Sequence, residues 1–171
     1  MAVEIERKFL VVDNDWRRDV SHSQRMAQAY LAGPPASRCS VRIRIAGDDA
    51  HLNIKSATLG VERDEFEYRI PLADAEHMLA TLAGRRVEKM RHHVRAGRHV
   101  FEIDEFLGEN EGLIVAEIEL TQADEAFPHP TWLGREVSDL ARYYNLNLAM
   151  HPYSRWSAAE RASDDASASP T

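Results

Sequence analysis

A single cysteine, Cys39, stands among 171 residues, so no disulfide can close within the chain. It reads as a small buried side chain rather than a nucleophile. No apolar run approaches the roughly 20 residues that span a bilayer. The basic, apolar and small-residue succession of a signal peptide is missing at the N-terminus, so a cytoplasmic protein with no membrane partner is expected. Positive charge is scarce, with 21 Lys and Arg against 28 Asp and Glu. The resulting net charge of -7 argues against nucleic acid as a partner, because a phosphate backbone demands a surplus of exposed Lys and Arg. Any polyanion must therefore meet a local basic cluster. Neither GxxxxGK[ST] nor GxGxxG occurs, which excludes a P-loop or Rossmann phosphate site. The histidines are scattered, and the adjacent pair His92 and His93 would face opposite ways on a strand, so no transition-metal site is indicated. A homodimer is compatible with the sequence, which does not specify one.

What is abundant is alternation. A chain of this length with 44% apolar residues can bury one core, and a single domain over residues 1–156 is expected. The stretch VEIERKFL (Val3 to Leu10) places Glu4, Glu6 and Lys8 on one face of a strand, because successive side chains point to opposite sides. Asp13 to Asp19 reads as a turn or short helix, and Gln24 to Leu31 as a second strand with Gln24, Met26, Gln28 and Tyr30 on one face. After the break at Gly33, Pro34 and Pro35, RCSVRIRIA sets Arg38, Arg42 and Arg44 against Val41, Ile43 and Ile45, and HLNIKS with Lys55 returns as a hairpin. Gly60 punctuates the next connection. ERDEFEYRI then places Arg63, Glu65, Glu67 and Arg69 opposite Phe66, Tyr68 and Ile70.

Helical spacing follows over Ala73 to Ala83, with Ala75, Met78, Leu79 and Leu82 on one side and Gly84 as the stop. Strand parity resumes with Lys89 and Arg91 on the face of Val87, then Glu102 and Asp104 opposite Phe101 and Ile103, then Glu117 and Glu119 opposite Ala116, Ile118 and Leu120. Trp132 to Met150 reads as mostly helical, with Leu133, Val137, Leu140 and Tyr144 as its buried stripe. Residues 157–171, small and polar, read as a disordered tail.

Eight strands joined by short connections predict a closed antiparallel β-barrel with flanking helices, and eight strands leave an interior wide enough for one small ligand. With the apolar faces packed outward, the lumen holds Lys8, Arg42, Arg44, Lys55, Lys89 and Arg91 beside Glu4, Glu6, Glu65, Glu67, Asp104, Glu117 and Glu119. Burying so many unpartnered charges would cost far more than the roughly 5 to 15 kcal/mol by which a domain is stable. Such a lumen must be wet or filled by charged ligands. Arg forks and Lys point charges suit a chain of phosphates, and clustered carboxylates suit Mg²⁺ or Mn²⁺. An antiparallel sheet laced by cross-strand ion pairs would also explain alternation. It would not explain three acidic pairs of the form ExE beside the paired cations of RIR and KMR.

The stretch EIERK at Glu4 to Lys8 resembles the ExExK signature of the CYTH, or triphosphate tunnel metalloenzyme, family. The likeness continues through RIR at Arg42 to Arg44, Lys55, EFE at Glu65 to Glu67, KMR at Lys89 to Arg91 and EIE at Glu117 to Glu119. The resemblance implies an eight-stranded tunnel in which Lys8, Arg42, Arg44, Lys55, Lys89 and Arg91 hold a triphosphate. Glu4, Glu6, Glu65, Glu67, Glu117 and Glu119 would hold Mg²⁺ or Mn²⁺, with Asp104 close by. Tyr30 matches a family tyrosine proposed to assist proton transfer, and with Glu6 and Glu119 it forms the expected catalytic set. WLGREVSDLARYYNLNLA resembles the helix after the barrel in small bacterial members, although SDLARY departs from their usual TGDPRY. The family includes inorganic triphosphatases, thiamine triphosphatases and class IV adenylate cyclases. The short chain, in which no base-binding element is recognisable, favours hydrolysis of inorganic tripolyphosphate. Adenylate cyclase, thiamine triphosphatase and a non-catalytic polyphosphate-binding module are the alternatives.

Overall fold

The computed structural model describes residues 2–57 and 61–162; the connection at Gly60 and residues 163–171 of the expected tail lie outside the described residues. The strands are β1 (Ala2–Val11), β2 (Val20–Ala32), β3 (Cys39–Ala46), β4 (Asp49–Ser56), β5 (Glu62–Arg69), β6 (Arg86–Ala96), β7 (His99–Phe106), β8 (Ile114–Leu120) and β9 (Leu133–Glu136). Helix α1 (Leu72–Thr81) separates β5 from β6, and the short helices α2 (Asn145–Met150) and α3 (Ala158–Ala162) follow the strands. The sheet runs β5-β4-β3-β2-β6-β7-β8-β1, and a further β5–β1 pairing closes it into an eight-stranded antiparallel barrel. The strands set charged side chains at one parity, and closure turns those charges toward one interior. The β3–β4 and β6–β7 hairpins each turn on a glycine at positive φ, Gly47 at 58° and Gly97 at 60°, the sense that matches strand twist in a tight hairpin.

Two apolar clusters cover the barrel from outside. One gathers Phe9, Trp16, Phe101, Ile103, Ile118 and Trp132, and the other packs Ala75 and Leu79 of α1 on Ala29, Ile43 and Ala50. A third departs from the expected wholly polar lumen. Val87, Phe106 and Val115 have the same parity as Lys89, Asp104 and Glu117, yet they pack with Val137, Tyr143, Leu148 and Trp156. The inward faces of β6, β7 and β8 thus end in an apolar plug, and the C-terminal segment closes that end of the barrel. On α1, Leu82 is exposed rather than buried, because the helix already ends at Thr81. Cys39 is half-buried, with its sulfur 3.4 Å from the Ser37 hydroxyl.

The segment from Trp132 to Met150 is not mostly helical. Leu133–Glu136 is a ninth strand, added to the edge of β1 at Phe9 and Val11, and only the six residues of α2 are α-helical. Gly134 permits this approach, since a Cβ there would lie 2.7 Å from Val12 Cγ1 and 3.0 Å from the Leu10 carbonyl oxygen. The expected stripe is split accordingly: Leu133 packs on the Phe9 cluster, Val137 and Leu140 on the plug, and Tyr144 turns to the interior. Nor does disorder begin at Ser157. Ser157 and Glu160 exchange side-chain to backbone hydrogen bonds of 3.2 and 2.7 Å, a capping box for α3. Arg161 donates to the Tyr153 carbonyl at 2.7 Å and lies over the Tyr153 ring. A chain ending at Trp156 is therefore expected to melt lower by about 2 to 4 °C, the effect of roughly 1 kcal/mol in a domain of this size. An unchanged midpoint by calorimetry would show that these contacts add nothing. No helix among the described residues is long and apolar enough to cross a membrane.

Candidate active site

All eight barrel strands contribute inward side chains to one cavity of about 770 Å³, and Ala141, Tyr144, Asn145, Leu146, Asn147 and Met150 supply part of its wall. Every site residue expected from the sequence lies on this wall except Asp104, which is fully buried behind it. Strand register explains the gathering. Glu6 stands opposite Glu119 and Lys8 opposite Glu117 across β1 and β8, Tyr30 opposite Arg42 across β2 and β3, and Lys55 opposite Glu65 across β4 and β5.

The wall is laced by charge. Lys8 is 3% exposed and donates to both Glu6 and Glu117. Burial alone would lower its pKa, but those two carboxylates overcome it and hold the ammonium above the usual lysine range. Lys55 donates to Glu4 at 2.7 Å and stands 3.4 Å from Glu65, Arg63 reaches Glu4 and Glu6 at 3.4 and 3.3 Å, and Arg44 reaches Glu67 at 2.7 Å. Asn53, with no exposure, donates to Glu65 and Glu67. Arg91 spans Asp104, Glu117 and Glu102. Lys89 differs from Lys8: burial first, then the neighbouring Arg91, pull its pKa down to about 8 against the opposing pull of Asp104 and Glu117.

After this pairing two charges remain. Among the described residues Arg42 makes no ion pair; it meets the Tyr30 hydroxyl and, at 3.5 Å, Gln28 Oε1, and its Nε is buried without an acceptor. Glu119 likewise has no cation within reach among the described residues. Burial and then the surrounding Glu4, Glu102, Glu6 and Glu65 push its carboxyl up. Tyr30 is raised as well, chiefly by burial, and Gln28 Nε2 donates to its hydroxyl at 3.3 Å. As the side chains stand, no three acids, imidazoles or thiols among the described residues converge closely enough to hold a metal ion, because cations across the wall occupy the carboxylates.

The expected site left out several members. Parity put Gln28, Arg63 and Glu102 on the polar faces, and Asn53 shares the face of Lys55, so their alternation was the available signal. Tyr144 had none, since it lies beyond the barrel. Its ring is 5.3 Å from Lys8 Nζ and 4.9 Å from the Arg63 guanidinium, and its hydroxyl donates to the Ser138 carbonyl at 2.7 Å. Ser138 Oγ in turn accepts from the Lys8 backbone at 3.0 Å, which ties the C-terminal segment to the strand bearing the signature.

A CYTH domain model matches residues 2–148. Over 154 residues the chain is 40% identical to an inorganic triphosphatase of Acetivibrio thermocellus, covering 90% of this chain and 97% of that one. Over 150 residues it is 35% identical to an inorganic triphosphatase of Nitrosomonas europaea, covering 86% and 97%. The crystal structure of an inorganic triphosphatase aligns with a TM-score of 0.64 at 34% identity, covering 88% of this chain and 96% of that one. The matched residues carry the closed barrel and every residue of the cavity wall except Met150. The chain belongs to the CYTH domain family.

Proposed function

We propose that the chain is a divalent-metal-dependent triphosphatase that hydrolyses inorganic tripolyphosphate to diphosphate and phosphate. The observation that carries this reading is the pair of charges left over on the wall. Arg42 has donors without an anion, and Glu119 is an acid among acids without a cation. A phosphate chain accompanied by a metal ion satisfies both. The inorganic triphosphatase relatives support the same chemistry.

Mg²⁺ or Mn²⁺ fits the donor set, which is all oxygen and repels itself: Glu4, Glu6, Glu65 and Glu102, gathered around Glu119. When bound, such an ion neutralises charge on the phosphate oxygens and polarises the phosphoryl group. Lys8, Arg42, Arg44, Lys55, Lys89 and Arg91, joined by Arg63, hold and orient the phosphates from the surrounding wall. Glu67 fixes Arg44, and Glu117 sits deeper, between Lys8 and Arg91. Glu119, the acid whose proton affinity is raised, takes the proton of the attacking water. Glu6 is already held by Lys8 and Arg63 and serves as a ligand rather than a base. Tyr30, kept protonated by burial, donates a hydrogen bond to a phosphate oxygen and accepts no proton.

Of the two aromatic side chains on the wall, Tyr144 already has Lys8 and Arg63 against its ring and Tyr30 is buried with its hydroxyl held by Gln28 and Arg42, so binding energy comes from phosphates rather than from a stacked base. With Mg²⁺ or Mn²⁺, tripolyphosphate is expected to show higher kcat/KM than ATP or thiamine triphosphate, and diphosphate to be a poor substrate because it spans fewer cations. Phosphate release from each compound at equal metal concentration tests this. A tenfold or greater advantage for ATP or thiamine triphosphate would overturn the inorganic assignment. Cyclic AMP from ATP would indicate a cyclase, and binding without phosphate release a non-catalytic module.

A further inference from the structure

Asp104 carries a charge for which the proposed chemistry has no place. It shares strand parity with Glu102, yet it is fully buried and lies beneath the cavity wall, between Arg91 of β6 and Val115 of β8 in register. Both of its oxygens are taken. Oδ1 accepts from Arg91 Nε at 2.7 Å, and Oδ2 accepts from Arg91 Nη2 at 2.7 Å and from Lys89 Nζ. Arg91 Nη2 also donates to Glu117 at 2.6 Å and Nη1 donates to Glu102. A guanidinium has five N–H groups, so one on Nη1 is left for a ligand. Lys89 gives one of its three hydrogens to Asp104 and is itself one of the residues lining the cavity.

We propose that Asp104 is a positioning residue: a buried anchor that fixes the Arg91 fork and the Lys89 ammonium toward a bound triphosphate, and not a ligand of the metal. The proposal rests on the triphosphate reading of the cavity. A bidentate grip on Nε and Nη2 sets the plane of the Arg91 guanidinium, which a single contact could not do. For Lys89 the anchor is also electrostatic. The charged groups facing that ammonium are Arg91 on its own strand, Asp104 on β7 and Glu117 on β8, while β2 brings the uncharged Met26 opposite it. With burial and Arg91 both driving the proton off, Asp104 is the nearest group that keeps it on.

Asp104→Asn removes the charge and keeps the shape. Three measurements test it. The Lys89 titration, followed by carbon NMR of the lysine side chain, is expected to move to lower pH than in the unmodified chain. The Kd for tripolyphosphate at neutral pH is expected to rise about tenfold, the size of a lost charge-assisted contact. The alkaline loss of binding should shift with the titration, and that shift should be absent in a Lys89→Arg background, where the charge cannot be lost. Mn²⁺ affinity without phosphate should stay within about twofold, because no oxygen ligand has been removed. A fall in Mn²⁺ affinity with an unmoved Lys89 titration makes Asp104 a metal ligand and overturns the proposal. A moved titration in a chain that never binds tripolyphosphate overturns the reading of the cavity and leaves the anchor standing. Should Asp104→Asn fail to fold, Asp104→Asn with Lys89→Gln removes anion and cation together, and its Mn²⁺ titration still separates anchor from ligand.

Discussion

Glu119→Gln is expected to abolish most turnover and yet leave the fold slightly more stable at neutral pH. Activity should fall about 100-fold or more, since the proton acceptor contributes on that order. The stability effect has the opposite sign because Glu119 is disfavoured where it stands, by burial and by Glu4, Glu102, Glu6 and Glu65. A carboxyl whose folded pKa lies above its unfolded value weakens the folded state at every pH above that range. The penalty is relieved as pH falls through the folded pKa, when the group takes up its proton. The variant should thus melt above the parent at neutral pH, and the difference should close as the solution is acidified through the carboxylate range. Steady-state assays with Mg²⁺ and thermal unfolding across pH read the two effects separately. Retention of near-full activity, or a lower melting point at neutral pH, would remove Glu119 from the centre of the acidic cluster.

Arg42→Ala should cost tripolyphosphate affinity more than Arg44→Ala or Lys55→Ala. A charge-assisted contact is worth about 1.5 to 3 kcal/mol, hence roughly 10- to 150-fold in Kd. What singles out Arg42 is the absence, among the described residues, of any ion pair to surrender on binding. Arg44 must leave Glu67, 2.7 Å away, and Lys55 must leave Glu4, so part of what each gains from phosphate is offset. Arg44→Ala is accordingly expected to weaken binding less than Arg42→Ala. Calorimetric titration of the two variants decides the order, and a reversed order would mean that the ion pairs on the wall persist in the complex.

The barrel and most of its lining were legible because parity on a strand is binary. Once Glu4, Glu6 and Lys8 share a face, closure of the sheet leaves them one place to point. Depth was not legible. Parity assigns Asp104 and Glu102 to the same side, but only register puts Asp104 level with Arg91 and Val115, below the wall. The same limit concealed the apolar plug, since Val87 and Val115 read like any inward position until the C-terminal segment packs on them. β9 was hidden for another reason. Four residues are too few for alternation to register, and Leu133–Glu136 is held by β1 rather than by its own pattern. Tyr144 belongs to that same segment, whose apolar spacing imitates a helix.

The closing strand also dictates an order of assembly. β2 to β5 form one meander of neighbours, β6 to β8 another, and contacts between β2 and β6 join the two. β1 alone bridges the free edges, meeting β5 at Ala2 to Ile5 and β8 at Ile5 to Leu10. Lys8 and Glu117 are 109 residues apart in sequence, so their pairing must wait for a loop of that length to close, the slow kind of step in folding. The strand bearing the signature precedes both of its barrel neighbours in the chain, and it can close the barrel only once they are in place. Until then it waits as an unpaired edge, and the charges of Glu4, Glu6, Arg7 and Lys8 are the feature that discourages such an edge from pairing with a neighbouring nascent chain.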